Sequence, residues 1–239
     1  IGCWTYLVCD GRKREVLCFE ENPRRRSSFR TKLPDSTFHY ANVYRDQGLG
    51  STERDLYGSY WRANHGRARR LAERLCEGSG RFDAQGMAAI LGDVGAKQNG
   101  CRVSRAIAML LTVASGVFSP EDGIVWVATG EAPTSHGKFI PFDLAGEDMA
   151  KDRPTLEGGR GLRAEERESF EAYRRAYVAW FDQEELGGAR AHMSWAVQKA
   201  PLEPLFHALE GLLAVRALDA AFAKGAFTRA IAIGHVDAE

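Results

Sequence analysis

Residues 112–133 read TVASGVFSPEDGIVWVATGEAP, and this stretch decides the fold class. An apolar run over 108–118 and a second run that opens at Ile124 flank SPEDG, whose proline and glycine suit a hairpin connection. Neither run alternates apolar with polar residues, so we expect both strands to lie inside a layered core. The stretch therefore predicts a buried antiparallel hairpin.

A second hairpin is predicted near the start of the chain. WTYLVCD from Trp4 and EVLCFEE from Glu15 are β-prone runs, joined by a turn that contains Asp10-Gly11. Further along, STFHYANVY from Ser36 predicts a short aromatic strand that enters a glycine-containing loop.

Basic residues crowd the stretch between these strands: Arg24, Arg25, Arg26, Arg30 and Lys32. A solvated edge or loop is the favoured interpretation, and an anion or phosphate site is the alternative.

Two helices are predicted next. The first covers 64–75, has Leu71 and Leu75 on one face, and ends before Gly78. The second has Asp83 as its N-cap and ends at Gly92. The order hairpin, strand, helix, helix, hairpin is typical of an α+β fold, in which helices pack on antiparallel sheet.

The second half of the chain is different in kind. Glycine and charged residues enriched from Ala145 to Gly161 predict a linker, which we place at 146–163, between a domain over 1–145 and a helical region over 164–239. In that region one spacing recurs at a constant offset of 34 residues, from 189 to 223 and from 201 to 235. The matching residues are Ala189, Met193, Ala196 and Pro201 in one unit, and Ala223, Phe227, Ala230 and His235 in the other.

This small-aromatic-small spacing resembles the tetratricopeptide repeat, whose period is about 34 residues. Gly211 occupies a position where that motif has a small residue, whereas Tyr177 occupies the same position of the first unit. Two units are fewer than the roughly three needed for independent stability, so we expect them to dock on the first domain or to continue beyond Glu239. A plain helical bundle is the alternative interpretation.

The composition excludes several classes of protein. The 239 residues contain 32 Lys+Arg and 32 Asp+Glu, a net charge of +0, which argues against a dedicated nucleic-acid binder. No apolar run approaches the roughly 18 residues that a membrane helix needs. Because the chain opens with Ile1 rather than methionine, we interpret it as a processed subunit or a part of a longer protein.

No metal, disulfide or cofactor site is predicted. None of the five cysteines lies in a CxxC pair or has a histidine at metal-ligand spacing; they are Cys3, Cys9, Cys18, Cys76 and Cys101. Their odd number argues against a disulfide framework and favours a reducing compartment, the cytoplasm. The chain has neither a P-loop nor a dinucleotide glycine fingerprint, so we expect no cofactor.

The order of several short segments carries a family resemblance. These segments are YLVCDGRKREVLCFEENP from Tyr6, ANVY from Ala41, ILGDVG from Ile90 and the hairpin from Thr112. Between Gly2 and Leu144 the chain resembles the later half of the autoproteolytic acyltransferases that include penicillin acyltransferase, which are related to choloylglycine hydrolases. The resemblance implies part of the αββα sandwich of N-terminal-nucleophile hydrolases, and cleavage or transfer at a C–N amide bond.

The resemblance also implies residue roles. In such enzymes the precursor cuts itself before a cysteine, whose thiol becomes the nucleophile and whose new α-amine, with a pKa near 8, serves as the base. Asn42 in ANVY matches the asparagine that donates to the oxyanion, although an asparagine that closes a strand in a turn explains it equally well. Arg67 is expected to be a structural ion-pair partner. Val43 departs from the pattern, since a histidine often follows that asparagine.

The nucleophile is expected upstream of Ile1, so this chain alone is expected to be inactive. A rival is that removal of Ile1-Gly2 frees Cys3 as an N-terminal thiol, but only 39 residues separate Cys3 from Asn42, too few for the first part of the sandwich. A buried strand thiol is therefore the favoured identity of Cys3.

Two function hypotheses follow. The first is a portion of an N-terminal-nucleophile cysteine amidohydrolase or acyltransferase, whose partners are a small acyl-amide substrate and the missing N-terminal part of the same protein. The alternative is a non-catalytic β-scaffold whose helical repeats bind a peptide or protein.

Overall fold

A computed structural model describes residues 4–32, 37–53, 58–77, 82–95, 106–109, 112–146 and 148–236. The chain forms two compact units. The first comprises Ile1–Asp93, Arg105–Ala108 and Thr112–Arg160, and the second comprises Val94–Ser104, Met109–Leu111 and Gly161–Glu239. The described residues combine helices with two antiparallel sheets, which confirms the α+β class.

The first sheet has three antiparallel strands in the order β1-β2-β3: β1 (Trp4–Asp10), β2 (Glu15–Glu21) and β3 (Arg26–Lys32). The opening hairpin is confirmed. Alternate residues of β2 point inward, and Val16, Cys18 and Glu20 are buried. β3 was not predicted, because the basic residues along it obscure the alternation of a strand.

The strand predicted from Ser36 is wrong where it can be checked. Ser36 itself lies outside the described residues, and residues 37–46 form an irregular segment. β3 already pairs with β2, and the Phe38 ring packs against Phe29 of β3 at a centroid distance of 5.9 Å. The aromatic residues of this segment therefore contact the sheet as loop side chains instead of extending it.

Three helices of the first unit follow: α1 (Gln47–Gly50), α2 (Gly58–Glu77) and α3 (Ala84–Leu91). The short helix α1 lies where a loop was predicted. α2 starts earlier than predicted, and Gly78 lies outside the described residues. α3 is confirmed, since the Asp83 carboxylate accepts a hydrogen bond from the Gly86 N–H at 2.7 Å and Gly92 is the C-cap.

The second sheet contains β4 (Gly116–Ser119), β5 (Ile124–Ala128), β6 (Lys138–Asp143), β7 (Asp148–Met149) and β8 (Leu156–Glu157). The predicted hairpin is confirmed as β4-β5, although residues 112–115 are not strand. The expectation that both strands are buried is wrong for β4, where Val117 is buried and Phe118 is exposed by 65%. The Trp126 and Phe139 side chains are buried in the core that this sheet forms with Ala88 of α3.

The predicted linker needs correction. β7 and β8 both pair with β6, and the first compact unit extends to Arg160. Short edge strands and tight turns share the glycine and charge content of a linker, so composition could not distinguish them. Glycine is required at Gly92, where an added Cβ would lie 2.5 Å from Gly159 Cα.

The described part of the second unit contains four consecutive helices: α4 (Ala164–Phe181), α5 (Leu186–Lys199), α6 (Pro204–Arg216) and α7 (Ala220–Val236). Each packs on the next. Ala189, Met193 and Ala196 of α5 are buried against Phe206 and Leu213 of α6. The helical prediction is thus confirmed over the described part of 164–239. No described helix is both long and apolar enough to span a bilayer.

Candidate functional site

The predicted oxyanion donor Asn42 lies in the irregular segment between β3 and α1 and is exposed. The prediction that it ends a strand is wrong, because this segment is not strand. Its neighbour Ala41 is buried, so the segment packs against the protein at the position next to Asn42.

Two residues of α2 hold Asn42. Arg67 Nη2 donates to Asn42 Oδ1 at 2.8 Å and to Asn64 Oδ1 at 2.6 Å, and Asn64 Nδ2 donates to the Asn42 carbonyl at 3.0 Å. A guanidinium group only donates hydrogen bonds, so the side-chain atom that faces it must be the oxygen of the amide. The Asn42 NH₂ group therefore points away from Arg67, and the described residues provide no hydrogen-bond partner for it.

A buried carboxylate anchors the backbone next to Asn42. Glu20 is fully buried on β2, and its two carboxylate oxygens accept from the backbone N–H groups of Arg45 at 2.8 Å and Asp46 at 2.9 Å. Tyr44 also donates its hydroxyl hydrogen to the Glu21 carbonyl at 2.7 Å. Glu20 was not singled out from the sequence. The feature that marks it is a glutamate at an inward position of an apolar alternation.

The flanking titratable groups are shifted by the same local contacts. Hydrogen bonds from the Leu49 N–H and from Ser27 hold the pKa of Asp46 below its ordinary value, with a further contribution from Arg25. Burial, followed by the charge of Arg45, lowers the pKa of His39. A neutral imidazole and an ionised carboxylate therefore flank Asn42 along the chain at neutral pH.

An ion-pair cluster fixes α2 one turn beyond Arg67. Arg70 binds Asp93 with two hydrogen bonds, Nε–Oδ1 at 3.0 Å and Nη2–Oδ2 at 2.8 Å, and Arg74 Nε lies 3.2 Å from Asp93 Oδ2. Bidentate pairing of this kind restrains both side chains. No sequence pattern pairs Asp93 with α2, because Asp93 lies 23 residues beyond Arg70.

The described cysteines differ in environment. Cys18 is fully buried, and burial together with the charge of Glu20 raises its pKa to about 11, although Arg45 acts in the opposite direction. Cys9 and Cys76 are exposed. Cys3 and Cys101 lie outside the described residues. Among the described side chains, no three His, Cys, Asp or Glu residues are grouped to hold a metal ion.

The basic stretch is largely ion-paired with neighbouring acids. The pairs are Arg25–Asp46 at 3.6 Å, Arg26–Glu21 at 3.2 Å and Arg30–Glu15 at 3.4 Å. These arginines are exposed, in agreement with a solvated edge, while the Lys32 side chain lies outside the described part.

Comparisons with known proteins add no identification: no family model matches the chain, and neither the curated proteins nor the solved structures include a match.

Proposed function

We propose that this chain is a portion of an N-terminal-nucleophile cysteine amidohydrolase or acyltransferase, in which the nucleophilic cysteine belongs to polypeptide that precedes Ile1. The observation that carries the proposal is the orientation of the Asn42 carboxamide. Its oxygen is held by Arg67 at 2.8 Å, and its NH₂ group faces away from that contact on an exposed segment.

An amide held in this way suits an oxyanion hole. When a thiolate attacks the carbonyl carbon of a small acyl-amide, negative charge develops on the carbonyl oxygen, and a donor fixed beforehand stabilises that charge without reorganising. The α-amine of the N-terminal cysteine takes the thiol proton, and the leaving amine is protonated as the C–N bond breaks. Water or a second amine then takes the acyl group from the thioester.

Among the described cysteines, Cys18 is unsuited to act as the nucleophile. At pH 7 a thiol with a pKa of about 11, as in Cys18, is almost entirely protonated and therefore a poor nucleophile. Its complete burial also prevents contact with a substrate.

The test uses the protein together with its preceding polypeptide and a chromogenic acyl-amide. We expect Asn42→Ala to lower kcat/KM by roughly 10²–10³, the usual effect of removing one oxyanion donor. Gln47→Ala is the matched control, because Gln47 is an exposed amide side chain five residues further along, at the start of α1, and it should leave kcat/KM unchanged. Equal kcat/KM values for wild type and Asn42→Ala would show that Asn42 is not an oxyanion donor.

For the second unit, we propose tetratricopeptide-like repeats formed by α4-α5 and α6-α7. The spacing supports this, because α5 and α7 begin 34 residues apart, at 186 and 220. Packing supports it as well: Ala189 and Ala223 are buried, and Gly211 of α6 lies directly against the Phe227 ring of α7.

One observation favours the second candidate, a non-catalytic interaction module. Large apolar side chains are exposed on all four described helices of the second unit, among them Phe181 on α4, Trp195 on α5, Val215 on α6 and Ile231 on α7. A surface of this kind suits a peptide or protein partner. Mass spectrometry of the longer product separates the two candidates, since self-cleavage before a cysteine yields two chains and a scaffold remains one.

A further inference from the structure

The first sheet has one edge that is less protected than the other. β1 is an outer strand seven residues long, and it carries no charged side chain from Trp4 to Cys9. Its large apolar residues are exposed: Trp4 by 59%, Tyr6 by 47%, Leu7 by 45% and Val8 by 56%. Proteins normally avoid a long apolar edge strand of this kind, because its unpaired backbone groups invite a further strand.

The opposite edge of the same sheet is protected. Ion pairs join β3 to β2, namely Arg26–Glu21 at 3.2 Å and Arg30–Glu15 at 3.4 Å. The segment 37–46 also contacts β3, through the Ser27–Asp46 hydrogen bond at 2.9 Å and the Phe29–Phe38 ring pair. Charge and coverage thus hinder strand addition at β3. Among the described residues no ion pair lies along Trp4–Cys9, and the segment 37–46 reaches β1 through the Tyr40–Thr5 hydroxyl contact, so β1 is the less protected edge.

The apolar surface of β1 continues onto β2. The register pairs Tyr6 with Phe19 and Val8 with Leu17, so these side chains share one face of the sheet. The Tyr6 and Phe19 rings lie 6.0 Å apart. A strand added at β1 would therefore cover this patch with its own alternate side chains.

Near each end of β1 lies one arginine that has no acidic partner among the described residues. At the Trp4 end, a cleft of about 700 Å³ is lined by Trp4, Tyr6 and the arginines at 24, 25 and 26. Arg25 and Arg26 have acidic partners, whereas no described residue pairs with the Arg24 guanidinium. At the other end, the turn after Asp10 carries Arg12, Lys13 and Arg14. Lys13 lies 4.0 Å from Asp10 and Arg14 lies 3.5 Å from Glu121, whereas no described residue pairs with the Arg12 guanidinium.

These charges disfavour a second copy of the chain as the occupant. Antiparallel pairing of β1 with β1 of another copy would place the Trp4 end of one beside the Asp10 end of the other. Arg24 would then face Arg12, and like charges set opposite one another oppose association.

We infer that β1 receives a β-strand from the polypeptide that carries the nucleophile, and that this strand has an apolar centre flanked by acidic residues. The source of the strand rests on the proposed function, whereas its chemistry rests on the apolar edge and the arginine near each of its ends. Main-chain hydrogen bonds would supply affinity, and the acidic flanks would fix the register against Arg24 and Arg12.

The test uses this chain and the preceding polypeptide, expressed as two separate chains. Their Kd is measured by calorimetry, and hydrogen exchange is followed at the β1 amides. Tyr6 and Ser28 both pair with Phe19, from opposite sides, and both are exposed. Tyr6→Lys and Ser28→Lys therefore add the same charge on the same face, at opposite edges of the sheet.

We expect Tyr6→Lys to weaken association by about tenfold or more, and Ser28→Lys to leave the Kd within about twofold. Binding should protect the β1 amides from exchange, and the joint variant Arg12→Glu, Arg24→Glu should also weaken it. Equal effects of the two lysine variants, unprotected β1 amides, no association, or a preceding sequence without an acid-flanked apolar strand would each overturn the inference.

The same mixtures assayed for acyl transfer separate this inference from the proposed function. Association through β1 without turnover would contradict the proposed enzymatic function and support the inferred strand addition at β1. Turnover in a complex that Tyr6→Lys does not weaken would support the proposed enzymatic function and contradict strand addition at β1.

Discussion

Cys18 lies on the inward face of β2 between Val16 and Glu20, and all three side chains are buried. Removal from water disfavours a thiolate, and the nearby carboxylate of Glu20 disfavours it further, so the pKa rises to about 11. Cys9 is one strand away in the register, pairing with Val16, yet it is exposed. Burial therefore separates two cysteines of one hairpin into an inert thiol and an accessible one.

This difference predicts selective alkylation. With iodoacetamide at pH 8, Cys9 and Cys76 should react while Cys18 remains unmodified, because about 10⁻³ of its thiol is ionised at a pKa of about 11. Peptide mass spectrometry of timed samples measures the three rates. Unfolding in urea is the control, and it should bring the rate of Cys18 up to that of Cys9. Equal rates in the native protein would contradict the assigned burial.

The surroundings of Asn42 could be predicted from the sequence only in part. Asn42 was singled out through a resemblance, but its hydrogen bonds to Arg67 and Asn64 required the packing of α2. Arg67 was expected to be an ion-pair partner, and the structure adds an amide contact that orients Asn42. Nothing in the sequence joins Glu20 to the backbone of Arg45, because that contact spans 25 residues.

Helices, strands and turns were predicted correctly where they depend on contacts between residues close in sequence. The turn at Asp10-Gly11 and the cap at Asp83 depend on neighbours within a few residues, and both were predicted. β3 was missed, since charges that protect an edge strand resemble those of a loop. The segment 37–46 has strand composition but pairs with no strand, and its Phe38 ring packs on Phe29 of β3 instead.

Gly211 shows how one contact sets the distance between two helices. An ideal Cβ at this position would lie 2.8 Å from Cε1 of Phe227, which is closer than side chains approach in proteins. A glycine inside a helix costs about 1 kcal/mol relative to alanine. Close approach of α6 to the Phe227 ring compensates for that cost.

We therefore expect Gly211→Ala to lower the free energy of unfolding of the second unit by about 1–2 kcal/mol, because overpacking outweighs the gain in helix propensity. Gly187 is the matched control: it lies in α5, is exposed, and an added Cβ there meets nothing within 4 Å. Gly187→Ala should stabilise by about 0.5–1 kcal/mol. Urea denaturation followed by circular dichroism measures both. Stabilisation by both substitutions would refute the contact with Phe227.

On the scale of the whole molecule, two hydrophobic cores are distinct. One contains Trp126 and Phe139 and lies entirely in the first unit, and the other contains Met193 and Phe206 and lies entirely in the second. The two cores share no residue. The composition shift from Ala145 to Gly161 and the 34-residue spacing that follows it made this division predictable, although the shift also includes β7 and β8 of the first unit.

Separate cores predict separate unfolding. A close glycine contact in each unit provides the probe: Gly92 against Gly159 in the first, and Gly211 against Phe227 in the second. We expect Gly92→Ala to destabilise the first unit by about 1–3 kcal/mol, since the added Cβ meets backbone that cannot rotate away. Hydrogen exchange, followed peptide by peptide across a urea series, should show β4-β6 opening earlier in Gly92→Ala, with α4-α7 unchanged. Gly211→Ala should show the opposite pattern, because contiguous segments that share a core open together. If each substitution advanced exchange equally in both sets of peptides, the chain would unfold as one cooperative body, and the assignment of stability to two cores would be wrong.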